Sequence, residues 1–211
     1  MRGKVMAIFV IISVSLIFGM ELEGSLGGFS NIRYCVPDGD YLYLLHRFNL
    51  YSVDISEPTS PEIIDSLITS GYVLDLALAD DYGFLGSGNQ LIVVDLSDPA
   101  HPENIGSVSL GTSDYIYGVH YQDGYVFAAG TNIFKIYEFT SPATLVEVYS
   151  YAFPAKTVSC WENYCALGVE SGGGGSVIVL EISEPASPMN VGGMSTPGSA
   201  VDVDFVSGRI Y

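Results

Sequence analysis

Short apolar segments alternate with turn-forming residues along most of this chain. Four of them precede an acidic residue in the same way, at Leu50–Val53, Leu91–Val94, Phe134–Tyr137 and Val177–Leu180. Apolar runs of this length between Gly, Pro, Asn and Asp clusters are typical of β-strands. No stretch after the N-terminal segment combines a 3.6-residue apolar period with helix caps. The pattern therefore predicts an all-β fold.

Two sequence markers repeat at the same interval of about 42 residues. The first is a proline after an acidic or serine residue, with spacings of 41, 43 and 43 residues, at Pro58, Pro99, Pro142 and Pro185. The second is a pair of turn-forming residues before a tyrosine, at 39–41, 80–82, 123–125 and 162–164. In the fourth copy four extra residues fall in the glycine-rich segment 171–176, so a loop has lengthened between strands that kept their register.

Each repeat has the pattern of four short antiparallel strands. In the second repeat we predict strands at Val73–Ala79, Tyr82–Gly86, Gln90–Leu96 and Asn104–Ser109. Asp80 and Asp81 form a two-residue turn, which needs residues that tolerate positive φ, and the prolines end the third strand. Four strands in 40–45 residues, apolar on both faces, are typical of a β-propeller blade. We expect a β-propeller of four four-stranded blades plus a partial fifth, in units of about 30–69, 70–110, 111–152, 153–196 and 197–211.

The third strand of each repeat also resembles a known family. The segment Leu91–Pro99 is similar to the LVIVD-repeat propellers, and Val177–Pro185 and Leu50–Pro58 are weaker copies. Phe134–Pro142 departs further, because Lys135 lies inside the strand and no second proline follows. The resemblance covers residues 30–211. It implies a bacterial or archaeal secreted or cell-surface propeller and brings no catalytic motif.

The first twenty residues predict export. Arg2 and Lys4 precede an uncharged apolar stretch that ends at Met20, the arrangement of a secretory signal peptide. This stretch is shorter than the roughly 20 residues that a spanning helix needs. The cleavage site is weakly marked, so an uncleaved N-terminal anchor is the alternative. We expect residues 21–29 to be a short linker and the protein to be periplasmic, extracellular or at the cell surface.

The net charge of the chain argues against some classes of binding partner. The chain has 24 acidic and 7 basic residues, and 5 basic residues remain after Arg2 and Lys4 are removed. So few cations argue against binding to nucleic acid or to an anionic membrane surface. Membrane contact would then depend on an uncleaved N-terminal segment. The acidic surface favours cationic partners or bridging by Ca²⁺.

The fifth repeat is short. It contains one predicted strand, Ala200–Val206, a turn at Ser207 and Gly208, and then only three residues. The preferred interpretation is a fragment of a longer chain, with a missing C-terminal continuation. The alternative is a partner chain that completes the ring.

One set of polar residues is the candidate metal site. Aligned by strand parity, Asp75, His120, Asp202 and Asp204 fall on innermost strands, which converge on the central channel. Oxygen-rich clusters suit a hard cation such as Ca²⁺. The alternative is that these residues line a hydrated channel and bond to water or backbone.

The cysteines offer a candidate disulfide. Cys160 and Cys165 flank the Glu162-Asn163 turn symmetrically, so they should face each other as a non-hydrogen-bonded pair with Cα atoms roughly 4.5 Å apart. A secreted location permits their oxidation, and the alternative is two small buried apolar residues. Cys35 has no predicted partner.

Two further groups recur in the repeats. The acids Asp54, Asp95, Glu138 and Glu181 stand four residues before each first proline. We predict a structural role for them, because such side chains accept N–H bonds in the following turn. Tyr72 and Tyr115, in loops between blades, and Asn132 are the candidate ligand-binding residues.

Three functional hypotheses remain. The first is an exported, non-enzymatic binding or scaffold module with a protein or glycan partner, since loops on a rigid base are where recognition is usually built. The second is an extracellular metal-assisted hydrolase or lyase that uses channel-facing Asp and His. The third is a structural part of a larger surface protein. No catalytic residue is assigned, and no cofactor is expected beyond the candidate Ca²⁺.

Overall fold

The fold is built from β-strands alone in the part of the chain that the structure describes. The computed structural model describes residues 26, 27, 29, 32–111, 114–171 and 174–211. Its strands are β1 (Tyr34–Asp38), β2 (Tyr41–His46), β3 (Asn49–Asp54), β4 (Glu62–Ile68), β5 (Val73–Ala79), β6 (Tyr82–Ser87), β7 (Gln90–Asp95), β8 (Glu103–Ser109), β9 (Ile116–Gln122), β10 (Tyr125–Gly130), β11 (Phe134–Ser141), β12 (Thr144–Tyr151), β13 (Thr157–Trp161), β14 (Tyr164–Ser171), β15 (Gly174–Glu181), β16 (Met189–Thr196), β17 (Phe205–Val206) and β18 (Arg209–Ile210).

A membrane-spanning helix is not found among these described residues. The predicted signal peptide, residues 1–20, lies outside them.

The strands form four sheets of four and one pair. Each sheet is an antiparallel meander in chain order, β1–β4, β5–β8, β9–β12 and β13–β16, and β17 pairs with β18. We number these sheets blade 1 to blade 4 and call the pair the fifth unit. The predicted architecture of four four-stranded blades and a partial fifth is confirmed.

Strand boundaries in blade 2 match the sequence prediction to within one residue. β5 spans Val73–Ala79 as predicted, and β8 begins one residue early, at Glu103. The fifth unit differs, because only Phe205–Val206 of the predicted strand is paired. Asp204 and Tyr211 exchange backbone hydrogen bonds beside this pair.

The first turn of every unit uses a left-handed residue. The first turn residue has φ between 48° and 57° in all five units, at Gly39, Asp80, Asp123, Glu162 and Ser207. This confirms the prediction that these hairpins need positive φ. The same end of each blade is closed by a further backbone bond, such as that from the Ile55 N–H to the Asp40 oxygen at 2.7 Å.

Blades pack face to face through apolar side chains. Tyr43 and Leu45 of blade 1 pack with Leu76, Leu85 and Ile92 of blade 2. Comparable clusters join blade 2 to blade 3 and blade 3 to blade 4. Each inner blade thus buries both faces, which explains why its second and third strands carry continuous apolar runs rather than an alternating pattern.

Neighbouring blades come closest at their inner strands. A Cβ atom on Gly118, in β9, would lie 2.9 Å from the Thr157 Cα atom and 3.1 Å from the Val158 nitrogen of β13. A Cβ on Gly86 would lie 2.8 Å from Cγ2 of Ile116 in β9. Glycine at these two positions permits the approach of successive blades, because the gap between them is too narrow for a methyl group.

The Gly118→Ala substitution should therefore destabilise the fold. Overpacking of this kind costs about 1–3 kcal/mol of unfolding free energy, because the obstructing atoms of β13 are backbone. Urea denaturation followed by circular dichroism measures the loss. Gly192→Ala is the matched control, since a Cβ there has no neighbour within 4 Å. Equal stability of the two variants would contradict the close approach.

Candidate functional site: a double chamber at the axis

The innermost strands of the blades surround a common axis. β5 lies beside β1 and β9, β9 lies beside β13, and β13 contacts β17 of the fifth unit. Side chains from successive units therefore meet although they are about 40 residues apart in sequence.

One end of this axis carries the connections between blades, and we call it the loop face. Each connection is hydrogen-bonded to the turn between the second and third strands of the preceding blade. The Val73 N–H donates to the Arg47 oxygen at 2.7 Å, and the Ile116 N–H donates to the Gly88 oxygen at 2.8 Å. The Ala155 N–H donates to the Gly130 oxygen at 3.0 Å in the same way. The loop face is thus braced by backbone bonds from blade to blade.

Two adjoining chambers open at the loop face. The axial chamber, of about 380 Å³, receives residues from all five units: Arg33, Tyr34, Leu74, Asp75, Tyr117, Lys156, Thr157, Glu170, Val201 and Asp202. The outer chamber, of about 360 Å³, is lined by Arg33, Arg47, Tyr72, Leu74, Tyr115 and Tyr117. The two share Arg33, Leu74 and Tyr117, so a ligand in the outer chamber would border the axial one.

Two of the three predicted ligand-binding residues meet in the outer chamber. Tyr72 is 53% exposed and Tyr115 is 50% exposed, and both line this chamber. The Tyr72 ring is supported from behind by Phe48, with ring centroids 4.4 Å apart at 31°. Asn132 does not line it; its amide donates to the Asp114 carboxylate at 3.3 Å.

Asp75 holds two blades together at the axis. One carboxylate oxygen accepts the Val119 N–H of the next blade at 2.7 Å, and the other accepts the Leu76 N–H at 2.9 Å. Burial raises the pKa of Asp75 to about 6; the two N–H bonds oppose the rise, and nearby Asp202 adds to it. Its geometry is that of a carboxylate bonded to backbone.

The other predicted metal ligands do not join Asp75 in a binding group. Asp202 accepts a hydrogen bond from Thr157 Oγ1 at 3.4 Å, and the His120 ring lies beside Phe127 with centroids 6.5 Å apart. Burial lowers the pKa of His120, with a small opposing effect of Asp204. Among the described residues no three His, Cys, Asp or Glu side chains are placed to hold a metal ion. Asp75 and Asp202 are hydrogen-bonded within the fold, and the Ca²⁺ site with Asp204 stays a prediction.

Lys156 links the axial chamber to blade 4. Its ammonium lies 3.8 Å from the centroid of the Tyr117 ring and 3.2 Å from a Glu170 oxygen. The hydrogen bond from Lys156 is the main cause that lowers the pKa of Glu170. The charge of Lys156 is therefore already balanced within the chamber.

Comparison with known proteins identifies the repeat. Residues 38–69 and 70–109 match the family described as the LVIVD repeat. Blades 1 and 2 match the LVIVD repeat. The resemblance predicted from Leu91–Pro99 is thereby confirmed. No curated protein sequence matches the chain.

Solved structures similar to this chain are propeller-like. A protein from Lactobacillus plantarum superimposes with a TM-score of 0.71 at 11% identity, over 85% of this chain and 58% of that one. The designed protein Ika4 superimposes with a TM-score of 0.62 at 15% identity, over 79% of this chain and 100% of its own. The designed protein Ika8 gives 0.67 at 12% identity, over 87% and 55%. The chain thus spans little more than half of the Lactobacillus plantarum structure. At these identities the likeness concerns the fold alone.

The recurring acids accept the predicted turn N–H bonds in three of the four blades. Asp54 accepts the Ser56 N–H at 2.7 Å, Asp95 accepts the Ser97 N–H at 2.9 Å, and Glu181 accepts the Ser183 N–H at 3.1 Å. Bonds from Ser56 and Ser97 lower the pKa of Asp54 and Asp95. Glu138 is the exception among the four, in the unit that departs furthest from the LVIVD pattern.

The two cysteines of blade 4 are cross-strand partners, as predicted. Cys160 pairs with Cys165 in the register of β13 and β14, both side chains are buried, and both are free thiols in this structure. Burial raises the pKa of Cys160 well above its usual range. Cys35, also a free thiol, packs against the outer face of blade 1. The disulfide itself stays a prediction.

Sequence reasoning missed the cations of the chambers. Arg33 and Lys156 each directly precede an innermost strand, and Arg47 is the first residue of the β2–β3 turn. All three positions lie on the loop face of a blade, so an alignment of the repeats would have placed these cations at the same end of the fold. This signal was obscured because the chain as a whole is strongly acidic.

Asp75 should give the stability of the protein a distinctive pH dependence. The folded pKa of about 6 exceeds the ordinary value of 3.8, so between these values the folded state holds a proton that the unfolded state has lost. Unfolding free energy should fall as pH rises from about 4 to about 6, and Asp75→Asn should remove that fall. Chemical denaturation at a series of pH values measures the difference between wild type and variant.

Asp95→Asn is the control for this experiment. The pKa of Asp95 is lowered from 3.8, so its contribution is lost as pH falls below about 4, the opposite trend. A pH-independent difference between wild type and Asp75→Asn from pH 4 to 6 would contradict the assigned pKa.

Cys160 and Cys165 should form a disulfide on oxidation. With oxidised glutathione the two thiols lose two protons and two electrons, and two reduced glutathione molecules form. Intact mass under denaturing conditions should fall by about 2 Da in a Cys35→Ser protein, and should not fall when Cys160→Ser is added. Persistence of two alkylatable thiols after prolonged oxidation would show that the pair is purely structural.

Proposed function

We propose that this LVIVD-repeat chain is an exported, non-enzymatic binding module whose ligand enters the outer chamber on the loop face. The observation that carries the proposal is the pair Tyr72 and Tyr115. They come from consecutive connections between blades, each is about half exposed, and they line one chamber. Half-exposed aromatic rings on a braced backbone offer contact area at low entropic cost.

The surroundings of the tyrosines support binding rather than catalysis. The carboxylate nearest the axis, Asp75, is engaged by two backbone N–H groups of the scaffold, and Lys156 is engaged by Glu170. Side chains held in this way shape the chamber and set its charge. They are not arranged as a nucleophile beside its general base. Partners of glycan or protein type fit such a shallow aromatic chamber, whereas nucleic acid does not fit the overall acidity.

Export is supported by the pattern of the first twenty residues, with basic Arg2 and Lys4 before an apolar stretch. The protein would then act in the periplasm, at the cell surface or outside the cell. There the cross-strand cysteine pair could be oxidised.

Replacing both tyrosines tests the proposal. We expect Tyr72→Ala/Tyr115→Ala to abolish binding of ligands found by screening neutral and acidic oligosaccharides and short peptides against the wild type by thermal shift. Isothermal titration calorimetry then compares affinities, and a loss of at least tenfold is expected from two stacking contacts. Tyr164→Ala is the control, because Tyr164 is also an exposed tyrosine but follows the turn at the opposite end of blade 4.

Two results would contradict the proposal. One is that every ligand detected binds the double variant as tightly as the wild type. The other is turnover of the bound compound, seen as new products by mass spectrometry, which would make the chain an enzyme.

A further inference from the structure

The described cations of this acidic protein are concentrated around one site. The sequence has seven basic residues, of which Arg2 and Lys4 belong to the N-terminal segment. Of the other five, Arg33, Arg47 and Lys156 line the axial and outer chambers. Lys135 and Arg209 lie elsewhere. A chain with a net charge of −17 therefore places most of its folded positive charge at the end of its axis.

Neither arginine has an acidic partner among the residues that the structure describes. Lys135 pairs with Glu147 at 2.8 Å and Lys156 pairs with Glu170 at 3.2 Å. In the described ranges no carboxylate comes within ion-pair distance of Arg33 or Arg47. None of the described residues that line the outer chamber is acidic. This lining is thus positively charged, which suits an anion, since a guanidinium fork binds carboxylate or phosphate through paired N–H bonds.

The axial chamber limits the charge of that anion. Asp75 and Asp202 line it beside the outer chamber, whereas the third acid, Glu170, is paired with Lys156. Repulsion from Asp75 and Asp202 grows with the charge of the ligand, so a singly charged carboxylate is repelled less than a dianionic phosphate. The two chambers together favour one negative charge held at the outer side.

The walls of the outer chamber define the rest of the ligand. Tyr72, Tyr115 and Tyr117 line it along with Leu74. Tyr72 is backed by Phe48 and Tyr117 by the Lys156 ammonium. Rings supported on one side present their other face to a planar or ring-shaped ligand. Both a sugar ring and an aromatic ring fulfil this requirement.

We propose that the outer chamber is a carboxylate-binding subsite, in which Arg33 and Arg47 hold the carboxylate of a ring compound that packs against Tyr72 and Tyr115. This rests on the proposed binding function and names its ligand class. The shared chemistry is a single carboxylate on a ring, and its source is a uronic acid residue of a glycan or an aromatic acid.

Paired probes that differ only in the acid group test the subsite. Galacturonic acid is compared with galactose, and 4-hydroxybenzoate with 4-hydroxybenzyl alcohol, by isothermal titration calorimetry at low salt up to about 10 mM ligand. We expect at least one acid to bind roughly tenfold or more tightly than its neutral counterpart. The pair of probes in which the acid binds shows whether the ligand is a uronic acid or an aromatic acid.

Variants assign the interaction to the arginines. Arg47→Gln should weaken binding of that acid roughly tenfold. Arg47→Lys keeps the charge but not the forked guanidinium, so its affinity should lie between those of the wild type and Arg47→Gln. Arg209→Gln is the matched control, because it removes one positive charge from the fifth unit, outside both chambers. An unchanged thermal midpoint shows that each variant is folded.

The outcomes separate this inference from the proposed function. Binding of a neutral sugar as tight as that of its acid, dependent on Tyr72 and Tyr115, overturns the carboxylate subsite and leaves the binding module intact. Equal effects of Arg47→Gln and Arg209→Gln overturn it as well, since only general charge would then matter. Failure of both acids to bind at these concentrations also overturns the subsite.

Discussion

The tight approach of consecutive blades at their inner strands governs the rest of this structure. Gly118 of the inner strand β9 leaves no room for a methyl group beside β13, and Gly86 of β6 leaves none beside Ile116, so the sheets come closest at the axis. Convergence brings side chains from five units to one place. It also explains the bond from the Val119 N–H to Asp75, because an inner-strand carboxylate lies within reach of the backbone of the next blade.

Net charge and local charge point in opposite directions in this protein. An excess of acidic residues suggested cationic partners, whereas the described lining of the outer chamber includes Arg33 and Arg47 and no acidic side chain. The reason is distance: at ordinary ionic strength, exposed charges more than about 10 Å away are largely screened. A binding site responds to the few charges beside it, and their position follows from the repeat register rather than from composition.

Local chemistry made the blades predictable, and non-local contact made the site difficult to predict. The ends of the strands are marked by residues close to them in sequence. The turn at 80 and 81 follows Val73–Ala79, and Pro99 follows the third strand of the same blade. Strand parity also placed Asp75 and His120 correctly on inner strands. It could not show that the Asp75 oxygens are used by backbone N–H groups or that His120 lies against Phe127. Those contacts depend on the rotation between blades, which no single repeat encodes.

The longer hairpin of blade 4 breaks the equivalence of the repeats. β14 has eight residues where β2, β6 and β10 have six, and Glu170 in the added part reaches Lys156. A ring of identical units would offer a guest several indistinguishable orientations. Here the added part of blade 4 brings an ion pair to the chamber at a position where the shorter second strands of the other blades end, so the walls of the chamber differ.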